Sequence, residues 1–469
     1  MDRYKHLHQT VIENGYDVRS GVYSAVDSSI VMKLDEFGQY TATALNNKQP
    51  EVEVAKKMLR VSVMSDQSAD EDRIAKQLFA GTDNIKYSPA IGYYLGLFGG
   101  HVVEDDYRQI ASSGGFTTWL LKELMVNGHI DGVIHVHESG RDDLLFEYDI
   151  STTVEQIKAG AKTRYYPVEL SDTLSRLRGF DGKYAVVGLP SFIMEVRLLA
   201  NNDPEIKKRI AFTLGLICGH QKSTKYIENF AWQSGIKPGD LKSVDFRKKV
   251  PNTPANKYAT EMTGLVDGKE VTVTKKQEEL FGSHWGHGFF KTKFSDYTDD
   301  ALNETADIAL GDAWLPEYTK DSMGDNILIV RHPIILDLIE RALKDGRIKV
   351  DELNVDTILR SQSGLIHQYR DDLPYRLYKK DKADQWRPKK RMEASRDIPF
   401  LRKKVQDLRE EITKQSHIHY KKAVTLDDWS YFEHKMKPLL RRYSWVYVLI
   451  KIKDNGLGWF IKKLWDKIR

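Results

Sequence analysis

The sequence predicts an α/β (α+β) protein built on a mixed sheet and followed by a helical C-terminal extension. Three observations carry that prediction. Between about residues 85 and 345, short apolar runs rich in β-branched residues alternate with amphipathic helical stretches. Past about residue 345 the alternation gives way to dense charge with helical periodicity. The 469 residues, 41% apolar and 29% charged, suffice for two or three domains with a sizeable core.

The first 75 residues read as a short module. Residues 29–34 and 39–42 form a β-hairpin about a turn at 35–38, residues 51–60 form a helix, and the acidic run 66–72 is a solvated loop or helix start. The Gly- and Tyr-rich stretch 90–96 reads as a strand against the core. The rest is organised around residues 112–118, where Ser112, Ser113, Gly114, Gly115, Thr117 and Thr118 lead into a helix with Leu120, Leu121, Leu124 and Met125 on its apolar side. Asn127 and Gly128 stop that helix, and a strand follows at 129–137. Amide groups at a helix start lack internal partners and sit at the positive end of its dipole, so this loop suits a phosphate. Gly114 and Gly115 would let the backbone approach it, and the hydroxyls would donate to it. An ordinary capping turn is the plainer alternative.

Further along, residues 184–189 and 210–218 read as apolar strands, and 170–179 and 192–200 as helices. Ser191 follows a strand end and is expected to cap the next helix, beside a ligand or purely as a cap. Lys162, Arg164, Tyr165 and Tyr166 place two cations and two phenols in one loop, suited to an anionic ligand. Arg247 is expected to anchor a phosphate or pair with an acid. His220 is the candidate proton donor; His284 and His287 are also candidates, and their spacing alone argues little for metal. Asp307 and Asp312 flank a short strand and are assigned a structural role. Residues 401–414 carry Leu401, Val405, Leu408 and Ile412 as one stripe, a docking face too short for a coiled coil.

A net charge of +4 gives no reason to expect nucleic acid. The polar start and the lack of an 18-residue apolar run predict a cytoplasmic protein. The single cysteine, Cys218, excludes an intrachain disulfide framework and any all-cysteine metal or cluster site within one chain.

Seven pieces in fixed order, at 112–115, 128–133, 162–165, 188–191, 215–220, 245–247 and 306–314, resemble the beta subunit of coenzyme F420 hydrogenase/dehydrogenase over roughly residues 15 to 345. That resemblance implies a flavoprotein oxidoreductase, FAD rather than FMN, and in bacteria a link to polysaccharide biosynthesis. It implies domains at 1–75 (a degenerate ferredoxin-like module), 76–345 (flavin-binding) and 346–469 (a helical, basic extension). It assigns Ser112, Ser113, Gly114, Gly115, Thr117, Lys162, Arg164 and Tyr165 to the cofactor, with Ser191 and His220 beside the substrate. The family's cluster cysteines fall on Arg19, Val22, Ala25, on 62–63, and on Lys291 and Phe294, so no iron–sulfur cluster is expected. Electrons would then reach the flavin from a small donor or a partner protein, for a small-molecule or lipid-linked sugar substrate. A flavin-free binding, scaffold or group-transfer protein in the same pathway is the alternative. At the C-terminus, Leu457, Phe460, Ile461, Leu464, Trp465 and Ile468 oppose Lys462, Lys463, Lys467 and Arg469, so residues 456–469 suit a peripheral contact with the inner membrane face or docking on the body.

Overall fold

The computed structural model describes residues 3–47 and 49–456; the amphipathic stretch expected at 456–469 therefore lies, beyond Gly456, outside the described residues. Strands β1 (Ile30–Leu34) and β2 (Tyr40–Ala44) pair antiparallel, with Leu34 opposite Tyr40. Asp35 makes the turn, its carboxylate accepting the amides of Phe37 and Gln39 at 2.9 Å each, and Gly38 supplies the left-handed φ of 68°.

Helices Val52–Val61 and Glu71–Phe79 follow, the second capped by Asp70 on the Arg73 amide. The acidic run is more than a solvated surface. Glu71 is buried, its carboxyl pushed up by burial and by Asp299, and Asp72 pairs with Arg391 at 2.9 Å. A basic segment from the C-terminal extension crosses here, which composition around residue 70 could not disclose.

A small hairpin, β3 (Lys86–Ser88) and β4 (Gly92–Tyr94), precedes the strands β5 (Gly96–Val102), β6 (Gly132–Glu138), β7 (Phe146–Ser151), β8 (Tyr184–Gly188) and β9 (Ile210–Leu216). Next come β10 (Leu241–Lys248), β11 (Ala259–Val266) and β12 (Lys269–Lys276), a separate antiparallel sheet. Finally β13 (Ile308–Asp312), β14 (Asn326–Val330) and β15 (Ile348–Glu352) complete the main sheet, whose order is β15-β5-β14-β13-β9-β8-β6-β7. Four consecutive strands, β13, β9, β8 and β6, run parallel, and every pairing outside them is antiparallel. This is the mixed sheet of an α/β fold.

Alternation of side chains sets what each face meets. On one face Leu328, Leu214, Ala185 and Val133 pack under the helices Phe116–Val126 and Pro333–Lys344. On the other, Val186 and Ile134 meet the helix Pro190–Asn202 and the N-terminal module through Phe192, Val196, Leu59 and Val61. Strands buried on both faces read as unbroken apolar runs, which is why 184–188 was legible.

The extension folds as an antiparallel helical hairpin, Phe400–Leu426 and Trp429–Asn455. Val405, Leu408 and Ile412 are buried, so the predicted stripe is a docking face. It covers the helix Lys225–Gln233 and residues 280–290, with Phe432 stacked on Phe290 at 5.7 Å. Among the described residues no helix is long and apolar enough to cross a membrane.

Phe432 is fully buried, whereas Trp445 on the same helix is 63% exposed. Phe432→Ala should therefore cost about 3–5 kcal/mol in a denaturant titration, and Trp445→Ala no more than about 0.5 kcal/mol. Equal losses would contradict the docked hairpin.

Candidate functional site at the carboxyl edge of the parallel strands

Because β6, β8, β9 and β13 are parallel, their carboxyl ends share one edge, where an open α/β sheet offers its ligand crevice. Asn303 fastens that edge, its amide donating to Gly188 O at 3.1 Å and Leu216 O at 3.4 Å. Gly215 makes room for it, since a Cβ there would lie 2.2 Å from the asparagine. Ser191 is buried at this edge but does not cap its helix. Leu189 is the cap and Pro190 takes the first helical position, where a missing N–H costs nothing, so Ser191 comes second.

The loop at 112–115 differs from the expected cradle. Gly115 has a left-handed φ of 90°. A Cβ on Gly114 would lie 2.7 Å from Gly100 O and 2.8 Å from Asn326 Oδ1, so this glycine admits the chain's own strands. Asn326 also accepts the first helical amide, of Phe116, at 3.4 Å, and the Ser113 hydroxyl donates to Asp325 O at 2.9 Å. Thr117 is half-buried in the first helical turn, and Thr118 is buried. Ser112 alone faces the neighbouring loop, accepting the Thr163 amide at 2.9 Å.

That contact opens onto a cationic groove. Lys162, at a left-handed φ of 92°, reaches Asp245 at 2.8 Å. Two residues on, Arg247 is buried and pairs with Asp312 at 2.7 Å, its guanidinium 4.9 Å over the Tyr258 ring. Burial and the nearby charges of Lys162, Arg108 and Arg247 push the Lys249 ammonium down to about 8. Ser112, Arg247, Lys249, Lys257 and Tyr258 line a tight crevice. Arg164 lies with its guanidinium 4.8 Å over Phe146. The buried Nε atoms of Arg164 and Arg247 have no acceptor among the described residues. Donors left waiting in this way fit an anion, although the crevice is too tight to admit a phosphate unless its side chains move apart.

Beside the groove an aromatic wall leads to His220. Tyr165 packs edge-on against Phe246 at 5.5 Å and Trp285 at 4.9 Å, and Trp285 lies 5.3 Å from the His220 ring. The Lys222 ammonium sits 4.8 Å over Trp285 and donates to Phe289 O at 2.7 Å. His220 Nε2 is bonded to the Gln368 carboxamide, and its buried Nδ1 has no partner among the described residues. Burial, then the charges of Lys291 and Lys222, hold this imidazole well below its ordinary range. That direction favours the neutral, hydrogen-bonding imidazole near pH 7 over the protonated donor that the sequence suggests. His284 and His287 lie with rings 4.5 Å apart, and burial with His284 pushes His287 down to about 4.

The helical hairpin supports this wall from behind. Arg409 donates to Gly286 O at 3.0 Å, Thr413 to Gly288 O at 2.9 Å, and Phe290 N–H to Ser416 at 3.0 Å. Trp285 stood between two flagged histidines and could have been singled out. Arg409, Gln368 and Asn303 carried no signal, being polar residues whose partners lie far away in the chain.

Two parts of one family match the chain: the N-terminal part of the coenzyme F420 hydrogenase/dehydrogenase beta subunit over residues 97–175, and its C-terminal part over 181–356, together more than half of the sequence. The chain belongs to this family. A solved chain of the F420-reducing nickel–iron hydrogenase complex from Methanosarcina barkeri is similar at 18% identity and a TM-score of 0.48, over 64% of this chain and 98% of that one. No curated protein matches. Within the beta-subunit family match lie all of the groove residues and His220, while Arg409 lies beyond it.

At the positions where cysteines of the beta-subunit family were expected, other side chains make the contacts. Val22, Ala25 and Phe294 are buried in the first core, and Lys291 is buried with Asp296 at 2.5 Å. Ser62 accepts from the Tyr23 hydroxyl at 2.7 Å, and Glu195 accepts from Ser20 at 2.5 Å and the Val63 amide at 3.2 Å. Burial beside Asp17 pushes the Glu195 carboxyl from 4.5 up to about 8. The folded chain therefore keeps a proton there that the unfolded chain releases, and stability falls as pH rises between about 5 and 8 with a slope approaching 1.4 kcal/mol per pH unit from this group, roughly. In urea titrations across that range Glu195→Gln should flatten the fall; an unchanged slope would show that Glu195 is ionised in the fold.

Proposed function

We propose that the protein is a flavin-dependent oxidoreductase that works without iron–sulfur clusters and holds FAD by its diphosphate in the cationic groove. The observation that carries this reading is the buried guanidinium Nε of Arg247, which has no acceptor among the described residues and lies beside Ser112 and Lys249. Bound FAD would supply two-electron chemistry that these side chains lack. Arg247 and Lys249 would neutralise the diphosphate, with Ser112 adding a hydroxyl bond; the glycines at 114 and 115 set the loop's path. Tyr165 and Trp285 would wall the redox site and keep water from it. His220, held neutral and fixed by Gln368, would offer Nδ1 to a polar group of the substrate, orienting it. Ser191, at the same strand edge, is the proposed second substrate contact.

Electrons would come from reduced nicotinamide, a reduced deazaflavin or a donor protein. A small-molecule or lipid-linked sugar in glycan precursor synthesis is the proposed substrate class, reached in the cytoplasm or at the inner membrane face through residues 456–469. The narrowness of the groove favours one other reading, a flavin-free protein that binds a phosphorylated ligand at its mouth.

The two readings part on absorption. FAD added to the purified protein should give bound-flavin bands, with affinity falling above about pH 8 as Lys249 loses its proton. Arg247→Gln should weaken FAD at least about tenfold, or 1.4 kcal/mol. Lack of flavin uptake at saturating FAD would rule out the redox reading in favour of the second.

A further inference from the structure

A sizeable cleft lies away from this edge. It has a volume of about 710 Å³ and includes Ile210, the first residue of β9, so it sits at the amino edge of the parallel strands. One wall is the N-terminal module, with Arg60, Gln67, Arg73 and Gln77; the other is the end of the helix Pro190–Asn202 with Asn201 and Asn202, and the short helix Pro204–Arg209 with Lys207. Ile74, Leu78 and Val196 give it an apolar floor.

Its charge is one-sided. Among the described residues no carboxylate lines it. Arg197 is satisfied by Asp307 and Thr213, each at 2.8 Å; Arg73 and Lys207 have no side-chain partner among the described residues, and Arg60 feels only the charge of the exposed Glu53. Cations gathered around a cleft without an acid repel one another, and an anion relieves that repulsion. Two guanidinium groups and an ammonium suit phosphate oxygens. The four carboxamides offer both donors and acceptors, which match hydroxyls and heterocycle edges rather than further charge. The volume falls within the span of small-molecule sites, about 300–1,000 Å³.

We propose that this cleft is a second ligand site, taking a phosphate-bearing, hydroxyl-rich molecule of nucleotide size. It is independent of the cationic groove, sharing none of its lining residues. Helix Pro190–Asn202 joins the two edges, with Ser191 at one end and Asn201 at the other. A ligand at the amino edge therefore touches the element that carries a residue of the carboxyl edge.

Calorimetric titration of the full-length protein with UDP, ADP and inorganic phosphate tests the proposal. At least one nucleotide should bind at least about tenfold more tightly than phosphate. Arg60→Ala combined with Arg73→Ala, both exposed positions, should weaken it at least about tenfold, and the Arg60→Lys, Arg73→Lys pair should recover most of the loss. Arg247→Gln should leave this binding unchanged, which separates it from the flavin groove. Absence of nucleotide binding, binding indifferent to the double alanine variant, or loss on Arg247→Gln would each overturn the proposal.

Discussion

The ion pair between Arg247 and Asp312 joins the two sheets, and most of the site is built on it. Asp312 ends β13 in the main sheet and Arg247 lies in β10 of the smaller one. From Arg247 the chain runs back two residues to Asp245, which holds Lys162. From Asp312 the pairing runs across to Asn326 on β14, which accepts the first amide of the helix after the 112–115 loop. Desolvating a guanidinium and a carboxylate is expensive, and such pairs often contribute little net stability. What this one contributes is geometry: with both partners fixed, Ser112, Lys162 and Arg247 keep one mutual arrangement.

Buried charge recurs wherever distant segments meet. Arg331 is fully buried and donates to the carbonyls of Tyr93, Asn303 and Ala306 at 2.9 to 3.1 Å. It thereby ties the hairpin of β3 and β4 to the segment that carries Asn303. Arg391 joins Asp72 and Glu304, each at 2.9 Å, fastening the C-terminal extension to the first module. An apolar replacement would pack in some of these places, but it would not leave carbonyl and carboxylate ends satisfied.

The sheet and the hairpins were legible because their signals are local. Apolar β-branched runs bounded by glycine gave β6, β8 and β9, and the Asp35-to-Gly38 turn gave β1 and β2. The stripe at Val405, Leu408 and Ile412 was correctly read as a docking face, though its partner was not. The site was legible in part: of the residues singled out in the sequence, Ser112 and Arg247 line one crevice and Lys162 reaches the nearby Asp245, whereas Arg164 lies over Phe146, and Tyr165 in the aromatic wall. Gly114 shows the limit, since a glycine needed for a ligand and one needed for a neighbouring strand look alike until the strand is in place. His220 shows another, because its environment is made by Lys222, Lys291 and Gln368, two of them far away in the chain. Arg409 could not be found at all, as a cation in a charged helix reads as a solvated face.

That hairpin bears on how the protein is made. The wall formed by Trp285 and the neighbouring phenylalanines is covered by helices that follow it by more than a hundred residues. While the chain is still being synthesised, the main sheet can form, yet Phe289 and Phe290 remain uncovered until residues 400–455 have left the ribosome. Domains generally fold as units in synthesis order, and uncovered aromatic surface invites aggregation. The interval between translation of the sheet and arrival of the hairpin is thus the stage at which a nascent chain of this protein depends most on chaperones.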